Sequence, residues 1–176
     1  METLERIRKV SGIMQFLALI FIVILPVYQI ATWFWVNDWL QHSLVQRGIH
    51  VLPADIDTGT RSLGFLVDAI PLGITLLALF WTLRLFTYYR QGQIFALDPI
   101  QKLRDMARAL FLFTIINPVC GAVLSVLVTM NQPAGQRMLV LGFRSEEIMA
   151  VFAGGALLAI SWVMLEAKRM ADDSTQ

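Results

Sequence analysis

Charged residues along this chain are spaced to leave four long gaps. No charge falls among the 28 residues between Lys9 and Asp38, nor among the 28 between Arg108 and Arg137. The 22 residues between Arg61 and Arg84 hold one charge, Asp68, and the 18 between Glu147 and Glu166 hold none. A helix needs about 20 apolar residues, roughly 17–25, to cross the hydrocarbon core of a bilayer. The pattern therefore predicts four transmembrane helices with cores at residues 12–34, 63–86, 109–130 and 148–165. A soluble bundle would need polar outer faces, which these windows do not offer. The expected fold class is all-α: an antiparallel four-transmembrane-helix bundle forming one membrane domain over residues 1–176.

Arg6, Arg8 and Lys9 precede the first apolar run as they would in a signal peptide. That run continues through Val27, Tyr28, Gln29 and Ile30 to Trp35 with no small-residue cleavage pattern, so it reads as an uncleaved anchor. Lysine and arginine then set orientation. The N-tail, the segment between the second and third spans, and the C-tail together hold 10 of them, and the other side holds 4 (Arg47, Arg61, Arg137, Arg144). The positive-inside rule places both termini and the 87–108 loop in the cytoplasm. Trp33, Trp35 and Trp39 read as an aromatic belt at the outer end of the first span.

Composition agrees: 57% of residues are hydrophobic and 15% charged, against about 45–50% and about 25% in soluble domains. Disordered chains are poor in apolar residues, so disorder is excluded. A net charge of +1 excludes direct nucleic-acid binding by bulk charge. A single cysteine, Cys120, allows no intrachain disulfide and reads as an inert thiol within a span.

The connections carry local signals. A short helix is expected over 39–47, lying on the membrane surface and ended by Gly48, followed by a turn at residues 53–59 that caps the second span. Gly92 breaks the second span. Asp98 is expected as an N-cap with Pro99 at the first helical position, opening an amphipathic helix over 99–108 before the third span. Ser145 is expected to cap the fourth span, with Glu146 and Glu147 in its first turn, where the helix dipole favours acids.

Few residues offer chemistry. Asp68 is the one ionisable residue well inside a span. It reads either as a structural pair, with Arg61 or Arg144 in reach, or as a proton, ion or ligand site. Asn117, Gly121, Ser125 and Thr129 form a small-and-polar stripe at spacing four, and Ala150/Gly154 and Gly155/Ala159 repeat the spacing in the fourth span. Such stripes mark close helix packing, and the sharper alternative is a polar site lined by Asp68, Asn117 and Ser125. Arg84 and Glu166 fall at inner helix ends, where they pair or snorkel to the headgroups. His42 and His50, in the first outer loop, lack zinc-site spacing. No motif for a metal, cofactor, phosphate or catalytic triad is found, so no cofactor and no enzymatic activity are expected.

The run Tyr89-Arg90-Gln91-Gly92-Gln93-Ile94-Phe95 before the 99–108 helix, and the ending from Phe143-Arg144-Ser145-Glu146-Glu147 through Gly154-Gly155 to Glu166-Ala167, resemble a bacterial membrane family, Domain of Unknown Function 2975, over roughly residues 60–176. The resemblance implies a four-helix, multi-pass protein of the bacterial cytoplasmic membrane and supplies no catalytic residue. It also implies a cytoplasmic partner, a small helix-turn-helix regulator. The leading functional expectation is accordingly a non-enzymatic membrane protein acting through its cytoplasmic loop, with Arg90, Gly92, Phe95, Asp98 and Arg104 as the contact surface and Phe95 as its exposed anchor. The alternative is a small transporter or channel subunit using Asp68 and Asn117, requiring a homo-oligomer because four short helices enclose little space.

Overall fold

The structure is a computed structural model describing residues 2–93, 96–133 and 135–173. Its elements are α1 (Glu2–Phe34), α2 (Asn37–Gln46), a single 3-10 turn (Pro53–Asp55), α3 (Thr58–Arg90), α4 (Leu97–Thr129) and α5 (Ser145–Asp173). Four of the five α-helices, α1, α3, α4 and α5, are long and apolar enough to cross a membrane. Among the described residues there is no strand. The chain is an all-helical, multi-pass membrane protein.

Helix α1 packs on α3, α3 on α4, and α4 on α5. The start of α1 lies against the end of α3, where Gln15 Nε2 donates to Thr87 Oγ1 at 2.8 Å. The end of α1 lies against the first third of α3, where Gln29 Nε2 donates to Asp68 Oδ2 at 3.0 Å. Outward faces are apolar and exposed, as a lipid-facing surface requires: Phe16, Val23, Leu66, Ile115, Phe152 and Trp162 are all solvent-accessible.

The spans are longer than their apolar cores. Residues 99–108 do not form a separate interfacial helix; they are the first turns of α4, continuous with the third span. Helix α3 starts at Thr58, five residues before its apolar window, because Asp57 caps it by accepting from Gly59 N at 3.0 Å and Thr60 N at 3.3 Å. The α4 N-cap is Ala96, with no side-chain cap, and Asp98 falls in the first turn. The α5 N-cap is Arg144, whose carbonyl accepts from Ile148 N, so Ser145 is already helical. Pro26, Pro71 and Pro118 are accommodated within helices that continue through them.

The short helix expected over 39–47 is observed over Asn37–Gln46, and its N-cap is Val36 with no side-chain bond. Asn37 Oδ1 accepts from Arg61 Nη2 at 3.0 Å, and the same guanidinium reaches Pro53 O at 2.6 Å. Leu40 and Leu44 of α2 turn inward onto Trp33, Ile49, Val51, Ile56, Leu124 and Val128. These residues build an apolar core over the ends of α1, α3 and α4, so α2 is a cap on the spans. Gly48, at φ +78°, closes α2: Gly48 N donates to Val45 O and Ile49 N to Leu44 O, the paired bonds of a Schellman motif. Ile49, just past the glycine, is fully buried in the core.

Candidate functional site

Under the α2 cap the helices bring two carboxylates out of solvent. Asp68 is 7% exposed and Glu147 1%. A buried charge is tolerated only when paired and hydrogen-bonded, and each of these acids is held by a different device.

Around Asp68, three elements converge. On α1, Gln29 and Trp33 lie four residues apart and so share a face; Gln29 Nε2 and Trp33 Nε1 both donate to Asp68 Oδ2, at 3.0 and 3.3 Å. The Schellman turn at Gly48 leaves Arg47 as the last residue of the α2 cap, and its Nη1 meets Asp68 Oδ1 at 2.6 Å. One carboxylate oxygen thus takes a cation and the other two neutral donors. The cation is Arg47, not Arg61 or Arg144: Arg61 is engaged with loop carbonyls, and Arg144 with the acids of α5. Asp68 also lies well beyond the start of its helix. With α3 starting at Thr58, it lies about 15 Å along the helix, beyond the first turn over which a helix terminus stabilises an acid.

Glu147 does not sit in solvent at the start of α5. Its Oε2 accepts from Arg144 N at 2.7 Å, the return half of a capping box, and its Oε1 accepts from Asn117 Nδ2 at 2.5 Å. Arg144 Nη2 lies 3.9 Å from the same carboxylate and 2.8 Å from Glu146 Oε2. Asn117 is therefore a helix–helix tie between α4 and α5.

Two cavities separate and join these clusters. One, of about 210 Å³, is lined by Arg47, Gly48, Asn117, Gly121, Arg144 and Glu147 among others. The other, of about 310 Å³, has Asp68, Gln29, His42, Arg47, Asn117 and Arg144 on its walls. They share Gln46, Arg47, Asn117 and Arg144, so the two lie side by side and together make up a chamber of mixed polar and apolar lining. The inner wall of the larger lobe is apolar, with Leu25, Leu72 and Phe113.

Of the residues singled out in the sequence, Asp68 and Asn117 are brought to one chamber. Ser125 is not: it is fully buried two turns away, where its Oγ accepts from Val140 N at 2.9 Å and donates to Ala122 O at 2.7 Å. The small-polar stripe of α4 thus holds the 138–140 segment, Thr129 Oγ1 accepting from Met138 N at 3.1 Å. On α5, Ala150 and Gly154 are buried against α4, whereas Gly155 and Ala159 face outward. Arg84 lies over the Phe80 ring, 5.3 Å from its centroid, and Glu166 pairs with Arg169 at 3.7 Å; they do not meet.

The loop residues separate too. Arg90 Nη1 donates to Gln15 Oε1 at 2.8 Å, and Arg104 Nε reaches Ser161 Oγ at 3.4 Å, so both guanidiniums are turned onto neighbouring helices. Gly92, at φ +78°, closes α3 with a second Schellman motif, and Asp98 is exposed. Phe95 lies outside the described residues. Among the described residues no group of three His, Cys, Asp or Glu side chains is placed to hold a metal.

Sequence reasoning missed Trp33, Arg47 and Glu147. Trp33 reads as an interfacial belt residue but is 1% exposed, whereas Trp35 is 74% exposed. One signal was present: Gln29 is a polar residue inside an apolar window, one helical turn before Trp33. Comparison with protein-family models, with curated proteins and with solved structures finds no match to this chain.

Proposed function

We propose that this protein is a non-enzymatic membrane protein that binds a small polar solute in the chamber beneath α2. The observation that carries the reading is the placement of Asp68: its carboxylate is paired with Arg47 and at the same time lines a cavity of about 310 Å³ that has both polar and apolar walls. Asp68 is buried among its donors and yet borders a cavity wide enough for a small solute. The chamber offers both signs of charge, Arg47 and Arg144 against Asp68, Glu146 and Glu147. That arrangement suits a small zwitterion, with its anionic group at Arg144, whose partner Glu146 is exposed and exchangeable. In a site of low dielectric such contacts are stronger than in water. The apolar inner wall of Leu25, Leu72 and Phe113 favours binding from one side over an open conduit.

The chamber's side follows from the charge pattern. Opposed contacts of α1 with α3, Gln15 to Thr87 and Gln29 to Asp68, support antiparallel spans. The excess of lysine and arginine at the other end supports cytoplasmic termini and a chamber facing outward across a bacterial inner membrane. A contact role for the 87–108 loop draws less support, since Arg90 and Arg104 are already engaged within the protein.

Thermal unfolding of the purified protein against a panel of amino acids, betaines and simple anions tests this. A zwitterion should raise the midpoint, and Arg144→Gln or Asp68→Asn should each abolish the shift. Stabilisation that survives both substitutions overturns the assignment.

A further inference from the structure

At the opposite end of α1 and α3 lies a groove of about 520 Å³ that the chamber reading leaves unused. Sixteen residues of α3, about 24 Å of helix, separate its Arg84 from Asp68. Its walls are of two kinds. Phe16, Leu19, Phe80 and Leu83 form an apolar channel along the spans, while Gln15, Arg84, Thr87 and Arg90 cluster toward the helix ends. Arg84, Thr87 and Arg90 are each three residues apart on α3 and all exposed, so they share one face.

We propose that this groove binds one anionic phospholipid, with its phosphate between Arg84 and Arg90 and an acyl chain along Phe16, Leu19 and Phe80. Charge is the first argument. Among the described residues no carboxylate lines the groove or pairs with either guanidinium; Arg84 rests over the Phe80 ring and Arg90 bonds a neutral amide, Gln15 Oε1. Two cations without an anion, at the end of a membrane span, call for one from the bilayer. Guanidinium forks match phosphate oxygens in geometry. Pre-organisation is the second argument. Gln15 donates to Thr87 Oγ1 and accepts from Arg90, so a chain of hydrogen bonds across α1 and α3 holds Arg90 in place before a ligand arrives. Continuity is the third: the cationic end opens directly onto the apolar channel, and a free phosphate would leave Phe16 and Leu19 uncovered.

Native mass spectrometry of the full chain, released from mixed micelles containing phosphatidylglycerol and phosphatidylcholine, reads the preference. Phosphatidylglycerol should be retained over phosphatidylcholine, and removal of each arginine in Arg84→Gln and Arg90→Gln should weaken retention roughly fivefold. An Arg84→Lys, Arg90→Lys double variant, which keeps the charge, should keep most of the preference. Equal retention of the two lipids overturns the proposal, as does a preference that persists in the Arg84→Gln, Arg90→Gln double variant. Inorganic phosphate alone, if it protects the protein from heat as well as phosphatidylglycerol does, also overturns it, because the site would then recognise an anion without its lipid.

Discussion

A Cβ built on Gly64 would collide with Trp33 Cη2, so the indole of α1 rests on the bare backbone of α3. The same indole donates to Asp68 and belongs to the core under α2. Gly64→Ala should therefore push Trp33 off the carboxylate and destabilise the protein by about 1–3 kcal/mol, the usual effect of overpacking. Trp33→Phe in the Gly64→Ala background should recover part of the loss by making room. Unfolding in detergent reads both, and an unchanged midpoint for Gly64→Ala contradicts the packing described.

Arg47 and Asp68 should behave as one unit. Breaking a buried pair from one side leaves an uncompensated charge and costs about 3–5 kcal/mol. Arg47→Met should reach that range, since Asp68 is 7% exposed and keeps only neutral donors. Arg47→Met combined with Asp68→Leu should be less destabilised than Arg47→Met alone. Additive losses in the double-mutant cycle would show that the two side chains act independently.

Glu147→Gln retains one carbonyl oxygen where two carboxylate oxygens served Asn117 Nδ2 and Arg144 N. A buried donor left without its acceptor costs about 1–3 kcal/mol, and that is the expected loss. Because Arg144 is the N-cap of α5, the effect should appear as faster amide hydrogen exchange in the first turn of that helix. Unaltered exchange there would contradict the capping role.

Ser125 fastens the chain between α4 and α5. Ser125→Ala removes the acceptor of Val140 N, and exchange at Val140 should rise well before global stability falls. Met138 N, held by Thr129 Oγ1, is the internal comparison and should change less.

Asp57 gives a pH signature. The Thr60 hydroxyl, then the Thr60 and Gly59 amides, hold its carboxyl below the usual carboxylate range. A group whose folded pKa is depressed adds stability above its unfolded pKa and loses it as pH falls through the folded value. The stability difference between the native chain and Asp57→Ala should be constant at neutral pH and shrink below the ordinary carboxylate pKa of about 4. A difference that grows on acidification would contradict the cap.

The spans were legible because charge gaps report directly on the hydrocarbon core, and all four cores lie on observed helices, the third passing the end of α4 by one residue, Met130. Their full lengths were not, since α3 and α4 extend into polar sequence where caps and tertiary contacts decide the boundary. Asp68 was visible as a charge in an apolar window. Its partner was not, because Arg47 reaches it only through the turn at Gly48 and the burial of Leu40 and Leu44. Glu147 looked like an ordinary first-turn acid, and only the approach of α4 to α5 takes it out of solvent. Gly64 carries no local signal at all; its meaning lies in a tryptophan 31 residues earlier.

Each buried acid follows its partners along the chain. Gln29, Trp33 and Arg47 all precede Asp68, and Asn117 and Arg144 precede Glu147. During synthesis the ribosome therefore delivers the donors before the carboxylates. Asp68 meets a membrane in which α1 and its capping loop have already been translated, and Glu147 arrives after α4. Neither acid has to wait in the bilayer for a partner still to be made, which gives the order of the helices in the chain a role in insertion as well as in the finished fold.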